Sequence, residues 1–160
     1  MKDPISLSSL MKHSEPTLID VKMMRLALKE ARKGMGKTSP NPAVGAVLAK
    51  NARILSKGWH QAAGCAHAEI EALRSLKNKS SAKEATLYVT LEPCSTHGLT
   101  PPCCESIITS GITRVVYGAR DPNPKHAGRA DTILRESGIE VLSGILEPEC
   151  ASLNRAWNKW

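Results

Sequence analysis

The sequence predicts an α/β protein, a three-layer α/β/α sandwich built around a mixed five-stranded sheet. Three observations carry this. The chain has 160 residues, enough for one compact domain with a real core and too few for two comfortable ones. Two apolar runs flank Lys50-Asn51-Ala52, the pattern of an antiparallel hairpin. After them, short apolar runs alternate with segments of helical periodicity, as in parallel strands joined by right-handed crossovers.

Residues 1–16 are polar and irregular, without the apolar stretch of a signal peptide or a membrane span. They read as a flexible arm ahead of a single domain over 17–160. The spacing predicts a helix over 17–33, with Met24, Ala27, Leu28 and Ala31 on one face, Thr17 or Asp20 as its cap, and Gly34 and Gly36 as its stop. Two prolines force Thr38-Ser39-Pro40-Asn41-Pro42 into a stiff extended loop that presents Asn41. Residues 43–49 and 53–59 form the hairpin. A helix is expected over 66–76, with Ile70, Leu73 and Leu76 facing the core and His67 and Glu69 in its first turn.

The strand expected over 85–91 runs straight into Pro93-Cys94, and the helix over 103–110 opens on Pro101-Pro102. A strand over 114–118 leads to the turn Asp121-Pro122-Asn123-Pro124. A helix over 130–137, a short strand over 140–142 and a final helix over 147–160 complete the chain. In such a fold the ligand-bearing loops gather where strands end.

Hydrophobic residues make up 41% of the chain and no repeat or low-complexity run occurs, which places it among globular proteins. Lys and Arg exceed Asp and Glu by 22 − 15 = +7, a balance that serves solubility or an anionic partner equally. None of the three Trp and two Tyr is interleaved with a basic run, which argues against a nucleic-acid stacking surface. Five cysteines, an odd number without a secretory leader, fit reduced thiols in a cytoplasm.

The chemistry concentrates in His67-Ala68-Glu69 and in the stretch from Glu92-Pro93-Cys94 to Pro101-Pro102-Cys103-Cys104. One imidazole, two thiols and a carboxylate match a catalytic zinc site better than a structural one. A structural zinc takes four protein ligands, whereas a catalytic zinc keeps one position open. On this reading one Zn2+ per chain is held by His67, Cys94 and Cys103, with Glu69 left unligated to move protons. Cys104 is the adjacent alternative thiol, with burial as a small hydrophobe as its ordinary role.

The chain has eight residues between Cys94 and Cys103, where many zinc deaminases of bases have two. With Thr38-Ser39-Pro40-Asn41-Pro42-Ala43-Val44-Gly45, Gly58-Trp59-His60, Tyr88-Val89-Thr90-Leu91-Glu92-Pro93-Cys94-Ser95, Asp121-Pro122-Asn123-Pro124 and Ala127-Gly128-Arg129, it resembles one family over roughly residues 22–160. That family is the deaminase domain of the bifunctional riboflavin-biosynthesis deaminase/reductases, of cytidine-deaminase-like fold. The resemblance implies hydrolytic deamination of the pyrimidine ribotide 2,5-diamino-6-(5-phosphoribosylamino)pyrimidin-4(3H)-one at its 2-amino carbon. It favours Cys103 over Cys104 as ligand, and makes Asn41, His60, the backbone N–H of Ala68, Asp121 and Asn123 substrate contacts. It also implies self-association and a reductase partner, covalent or separate, although no dinucleotide fingerprint occurs in this chain.

Two positions depart from the family pattern. Thr96 stands where a His is common, with His97 one place later, and Leu99 where a basic residue is usual. Lys125, His126 or Arg129 is then expected to meet the phosphate. Two alternatives stay open at this level: a deaminase of a related base, nucleotide or pterin, and a zinc-stabilised binding module without chemistry. Cys65 and Cys150 are expected to be packing residues.

Overall fold

The computed structural model describes residues 15–96 and 101–155. The expected arm falls on residues outside these except for Glu15 and Pro16, which are exposed. In chain order the elements are α1 (Leu18–Arg32), β1 (Gly45–Lys50), β2 (Arg53–Trp59), α2 (Ala68–Arg74), a 3-10 turn (Lys79–Ala82), β3 (Thr86–Leu91), α3 (Cys103–Ser110), β4 (Arg114–Ala119), α4 (Arg129–Glu136), β5 (Glu140–Ser143) and α5 (Glu147–Leu153). The sheet order is β2-β1-β3-β4-β5. β1 pairs antiparallel with both β2 and β3, while β3, β4 and β5 run parallel, so the sheet is mixed as expected.

Alternation along the central strands builds two cores. Ala46, Leu48, Leu87, Val89, Val115 and Tyr117 face α2, α3 and α4, whose Ala72, Ile107 and Leu134 complete that layer. Val47, Ala49, Tyr88 and Val116 face the opposite way, onto Met23, Met24, Ala27 and Leu28 of α1 and Cys150 of α5. The hairpin turns through Asn51 and Ala52, both at positive φ, the geometry that fits the twist of a tight hairpin.

Two elements, α2 and α5, differ from the sequence expectation. His67 is the extended N-cap of α2 and lies outside its first turn. The core face of α2 is Ala68, Glu69 and Ala72, while Ile70 and Leu73 are only partly buried. The reason is close approach: a Cβ on Gly58 of β2 would collide with the backbone of Ala68 and Ala72. Only small side chains fit between helix and sheet there. The last helix, α5, ends at Leu153, and residues 156–160 lie outside the described residues.

α1 begins with a capping box, in which the Thr17 hydroxyl accepts from the Asp20 N–H and the Asp20 carboxylate accepts from the Thr17 N–H. The buried Asp20 carboxylate also accepts hydrogen bonds from Tyr88 Oη (2.8 Å) and from both terminal nitrogens of Arg114 (2.7 and 2.9 Å), tying α1 to β3 and β4. Burial works against its charge. Arg114, the Thr17 N–H and Tyr88 outweigh that and hold the pKa at about 2, below the usual 3.8. A carboxyl depressed in the folded state adds stability above its unfolded pKa and loses it as pH falls through the folded one. Asp20 should thus contribute about 2 kcal/mol above pH 4 that disappears between roughly pH 4 and 2. Urea unfolding of wild type and Asp20→Asn should show a stability gap that shrinks over that window; a gap constant with pH would refute it.

Candidate metal centre and pocket

Three donors converge where β3 ends. His67 caps α2, Cys94 follows β3 by three residues, and Cys103 is the first residue of α3. Their ligand atoms all lie within 4.8 Å of one another. Cys103 Sγ is 3.3 Å and Cys94 Sγ 3.7 Å from His67 Nδ1, so Nδ1 is the nitrogen that faces the sulfurs. A tetrahedral zinc with ordinary Zn–S and Zn–N lengths places such atoms about 3.6 Å apart. Both nitrogen–sulfur separations therefore suit a shared zinc.

Local backbone geometry holds the thiols in register. The Cys103 N–H donates to Cys94 Sγ (3.1 Å), and the Cys104 N–H donates to the Cys94 carbonyl (3.2 Å). This closes the eight-residue loop onto its own start. Cys104 instead enters the core beside Ala68, Ile107 and Tyr117, where burial pushes its thiol up to about 12. Cys150 is buried against Gly118, but Cys65 is exposed, contrary to its expected packing role. It lies in the turn leading to His67, on the outside of the chain.

The electrostatics suit a cation. A hydrogen bond from the Cys103 thiol, then His67, hold the Cys94 thiol down at about 4 against the effect of burial. Hydrogen bonding to Cys94 raises His67 despite burial, and Cys103 is pushed up by Cys94 and by burial. The imidazole proton and the Cys103 proton thus sit where a divalent ion would displace them. Glu69 is 3% exposed and outside the donor cluster. Burial pushes its carboxyl up and the Cys94 charge adds to this, with His67 opposing.

Beside the donors is a cavity of about 230 Å³ lined by Asn41, Val44, His60, Glu69, Glu92 and Asp121, with His67, Ala68 and Cys94 at the metal end. His60 Nδ1 lies 3.0 Å from the Ala66 carbonyl, so it donates there and leaves Nε2 to accept from Asn41 Nδ2 at 3.3 Å. Its ring also packs edge-on against His67, centroids 5.6 Å apart. Asn41 Oδ1 takes no protein donor among the described residues, and the Ala68 N–H, first in its helix, takes no protein acceptor there.

Asn123 is placed differently from the other expected contacts. It is exposed, absent from the cavity wall, and its side chain accepts from the Lys125 N–H. Sequence reasoning assigns no role to Glu92, although it lines the cavity and its carboxylate accepts two backbone N–H groups. Its only sequence signal is an acidic residue at a strand end beside Pro93-Cys94. His97 and Leu99, where the family pattern is broken, lie outside the described residues.

A His and two Cys at the end of a mixed sheet, with an unligated carboxylate beside them, define the class of zinc-dependent base deaminases. Within it, the chain belongs to the cytidine and deoxycytidylate deaminase family, whose zinc-binding region matches residues 18–119. The riboflavin biosynthesis protein RibD of Escherichia coli (strain K12) is 49% identical over 85% of this chain, a match that spans 36% of that protein. A diaminohydroxyphosphoribosylamino-pyrimidine deaminase of Buchnera aphidicola subsp. Schizaphis graminum is 45% identical over 85% of this chain and 91% of its own length. A solved deaminase/5-amino-6-(5-phosphoribosylamino)uracil reductase from Thermotoga maritima superposes with a TM-score of 0.79 at 47% identity, covering 84% of this chain and 39% of that one. No helix among the described residues is long and apolar enough to cross a membrane.

Purified protein should carry about one zinc per chain, and Cys103→Ala should lose it while Cys104→Ala keeps it. Metal analysis after gel filtration checks this; retention of zinc by Cys103→Ala would show that another residue is the ligand.

Proposed function

We propose that the chain hydrolytically deaminates 2,5-diamino-6-(5-phosphoribosylamino)pyrimidin-4(3H)-one, releasing ammonia and leaving a carbonyl at the 2-position. The observation that carries this is Glu69, a buried carboxylate at the cavity wall that stands beside His67, Cys94 and Cys103 without joining them. A purely structural metal site needs no such group.

His67, Cys94 and Cys103 would hold the zinc. Bound there, zinc supplies a Lewis-acid centre that brings the pKa of a water down to about 7. Glu69 acts as the proton carrier: it passes one proton from the attacking water to the ring nitrogen, then passes the proton of the hydroxyl added at the 2-carbon to the departing amine, so that ammonia leaves and a carbonyl remains. Its raised affinity for a proton, set mainly by burial, suits a group that must hold and release one. Asn41, oriented by donating to His60, offers its remaining amide donor and an acceptor to the edge of the base. The N–H of Ala68 and the Asp121 carboxylate, whose Oδ1 accepts from the Asn123 N–H, complete the polar lining. Asn123 contributes by shaping that turn. Lys125 on the neighbouring loop and Arg129 at the start of α4, both exposed, are available to the phosphate.

The substrate follows from the resemblance of the motifs and is supported by the name of the Buchnera relative, which this chain matches over nearly its whole length. Residues 17–160 form the catalytic domain, working in the cytoplasm as a self-associating enzyme. The reductase step is supplied by another domain or chain, a reading supported by the Thermotoga protein, whose name joins a deaminase to a reductase.

Zinc-loaded wild type should release ammonia from the diaminopyrimidine ribotide. Glu69→Gln should retain zinc and lose about 10²–10⁴-fold in turnover. A glutamate dehydrogenase-coupled ammonia assay reads both. No ammonia from the wild type would overturn the function, and an active Glu69→Gln would overturn the role of the carboxylate.

A further inference from the structure

We infer that Glu92 is a positioning residue for substrate binding, acting as a two-oxygen clamp that closes the loop from Asp121 to Gly128 against the pocket. Its carboxylate is 6% exposed and accepts hydrogen bonds at both oxygens: the Asp121 N–H at Oε2 (3.0 Å) and the Gly128 N–H at Oε1 (2.7 Å). These donors open and close one excursion of the chain between β4 and α4. A single side chain at the end of β3 thus gathers both ends of a loop that would otherwise be tethered only at its strand and its helix.

The excursion has its own shape. Asp121 Oδ1 accepts from the Asn123 N–H (2.9 Å) and Asn123 Oδ1 from the Lys125 N–H (3.0 Å), two successive side-chain turns. The His126 and Ala127 N–H groups both return to the Asn123 carbonyl. Such a loop is stiff within itself, and what remains is to fix it relative to the sheet. Glu92 does that, helped by its own N–H, which donates to the Ala119 carbonyl (2.8 Å) and seats the end of β3 beside β4.

The placement matters because Asp121 and Glu92 line the cavity together. Moving the loop moves the Asp121 carboxylate relative to the base, and swings Lys125 with it. No metal-ligand candidate lies in the 121–128 loop, and Cys94, two residues past Glu92, is held separately by the Cys103 and Cys104 N–H groups, so release of the clamp leaves the zinc in place. The expected signature is weaker substrate binding with the proton-transfer step largely intact. This rests on the deaminase reading for its substrate, but the clamp itself does not.

A glutamine at position 92 has nearly the same shape, yet its amide accepts at one end only and presents N–H to N–H at the other. Glu92→Gln should therefore raise KM by about tenfold or more, on the scale of losing a hydrogen bond to a charged acceptor, with a much smaller change in kcat and with zinc content unchanged. Glu92→Asp, which keeps both oxygens on a shorter arm, should recover part of the loss. Wild-type KM in Glu92→Gln, or a loss confined to kcat, would overturn the proposal. Amide hydrogen exchange on the zinc-loaded wild type tests the clamp without any variant: the Asp121 and Gly128 amides should be protected, and exchange at the rate of free loop amides would overturn it. A wild type that releases no ammonia but protects these amides would refute the deaminase reading and support the clamp.

Discussion

The structure depends on bringing the starts of two helices to the end of one strand closely enough for three soft donors to share an ion. His67 caps α2, Cys103 opens α3, and Cys94 trails β3, so each donor is held by a different element. Close packing makes this possible. Gly58 lets α2 lie against the hairpin through Ala68 and Ala72, and Gly45 lets β1 approach α1 so tightly that a Cβ would meet the backbone of Ala27 and Ala31. A bulkier residue at Gly58 would lift α2 from the sheet and draw His67 out of range, and one at Gly45 would push α1 away from β1.

The same convergence explains why Glu69 can differ chemically from the donors beside it. At the second position of α2 its carboxyl is carried into the core face of the helix, while His67, as the cap, stays at the surface. Two residues apart in sequence, they are separated by the change from extended to helical backbone. One is placed where it could hold a metal and the other is a buried acid facing the cavity. Polar residues around the cavity are in turn held by partners: His60 by the Ala66 carbonyl, Asn41 by His60, Asp121 by Glu92. The loop following Asn41 is pinned too, since Asn154 exchanges two hydrogen bonds with the backbone of Ala43.

Much of this is legible in the sequence because ligand chemistry restricts residue type. An imidazole, a carboxylate and two thiols in that order announce a metal and a proton carrier before any contact is known. The sandwich is legible from a hairpin followed by alternating elements, and the α1 cap from Thr17 and Asp20. The core face of α2 is not, because hydrophobicity points to Ile70 and Leu73, whereas packing distance against Gly58 selects alanines. Glu92 escapes notice because its partners are backbone N–H groups 29 and 36 residues away, which leave no mark on residue type. Asn123 differs for a local reason: the Asp-Pro-Asn-Pro motif shapes a turn whose first residue, and not its third, lines the cavity.

On this reading the protein holds a three-ligand zinc with one position open beside an unligated glutamate. Zinc X-ray absorption on the loaded protein measures this directly. Two sulfurs at about 2.3 Å are expected, with the remaining scatterers as nitrogen or oxygen near 2.0–2.1 Å. A shell of three or four sulfurs, closing the site with Cys104 or Cys65, would contradict it.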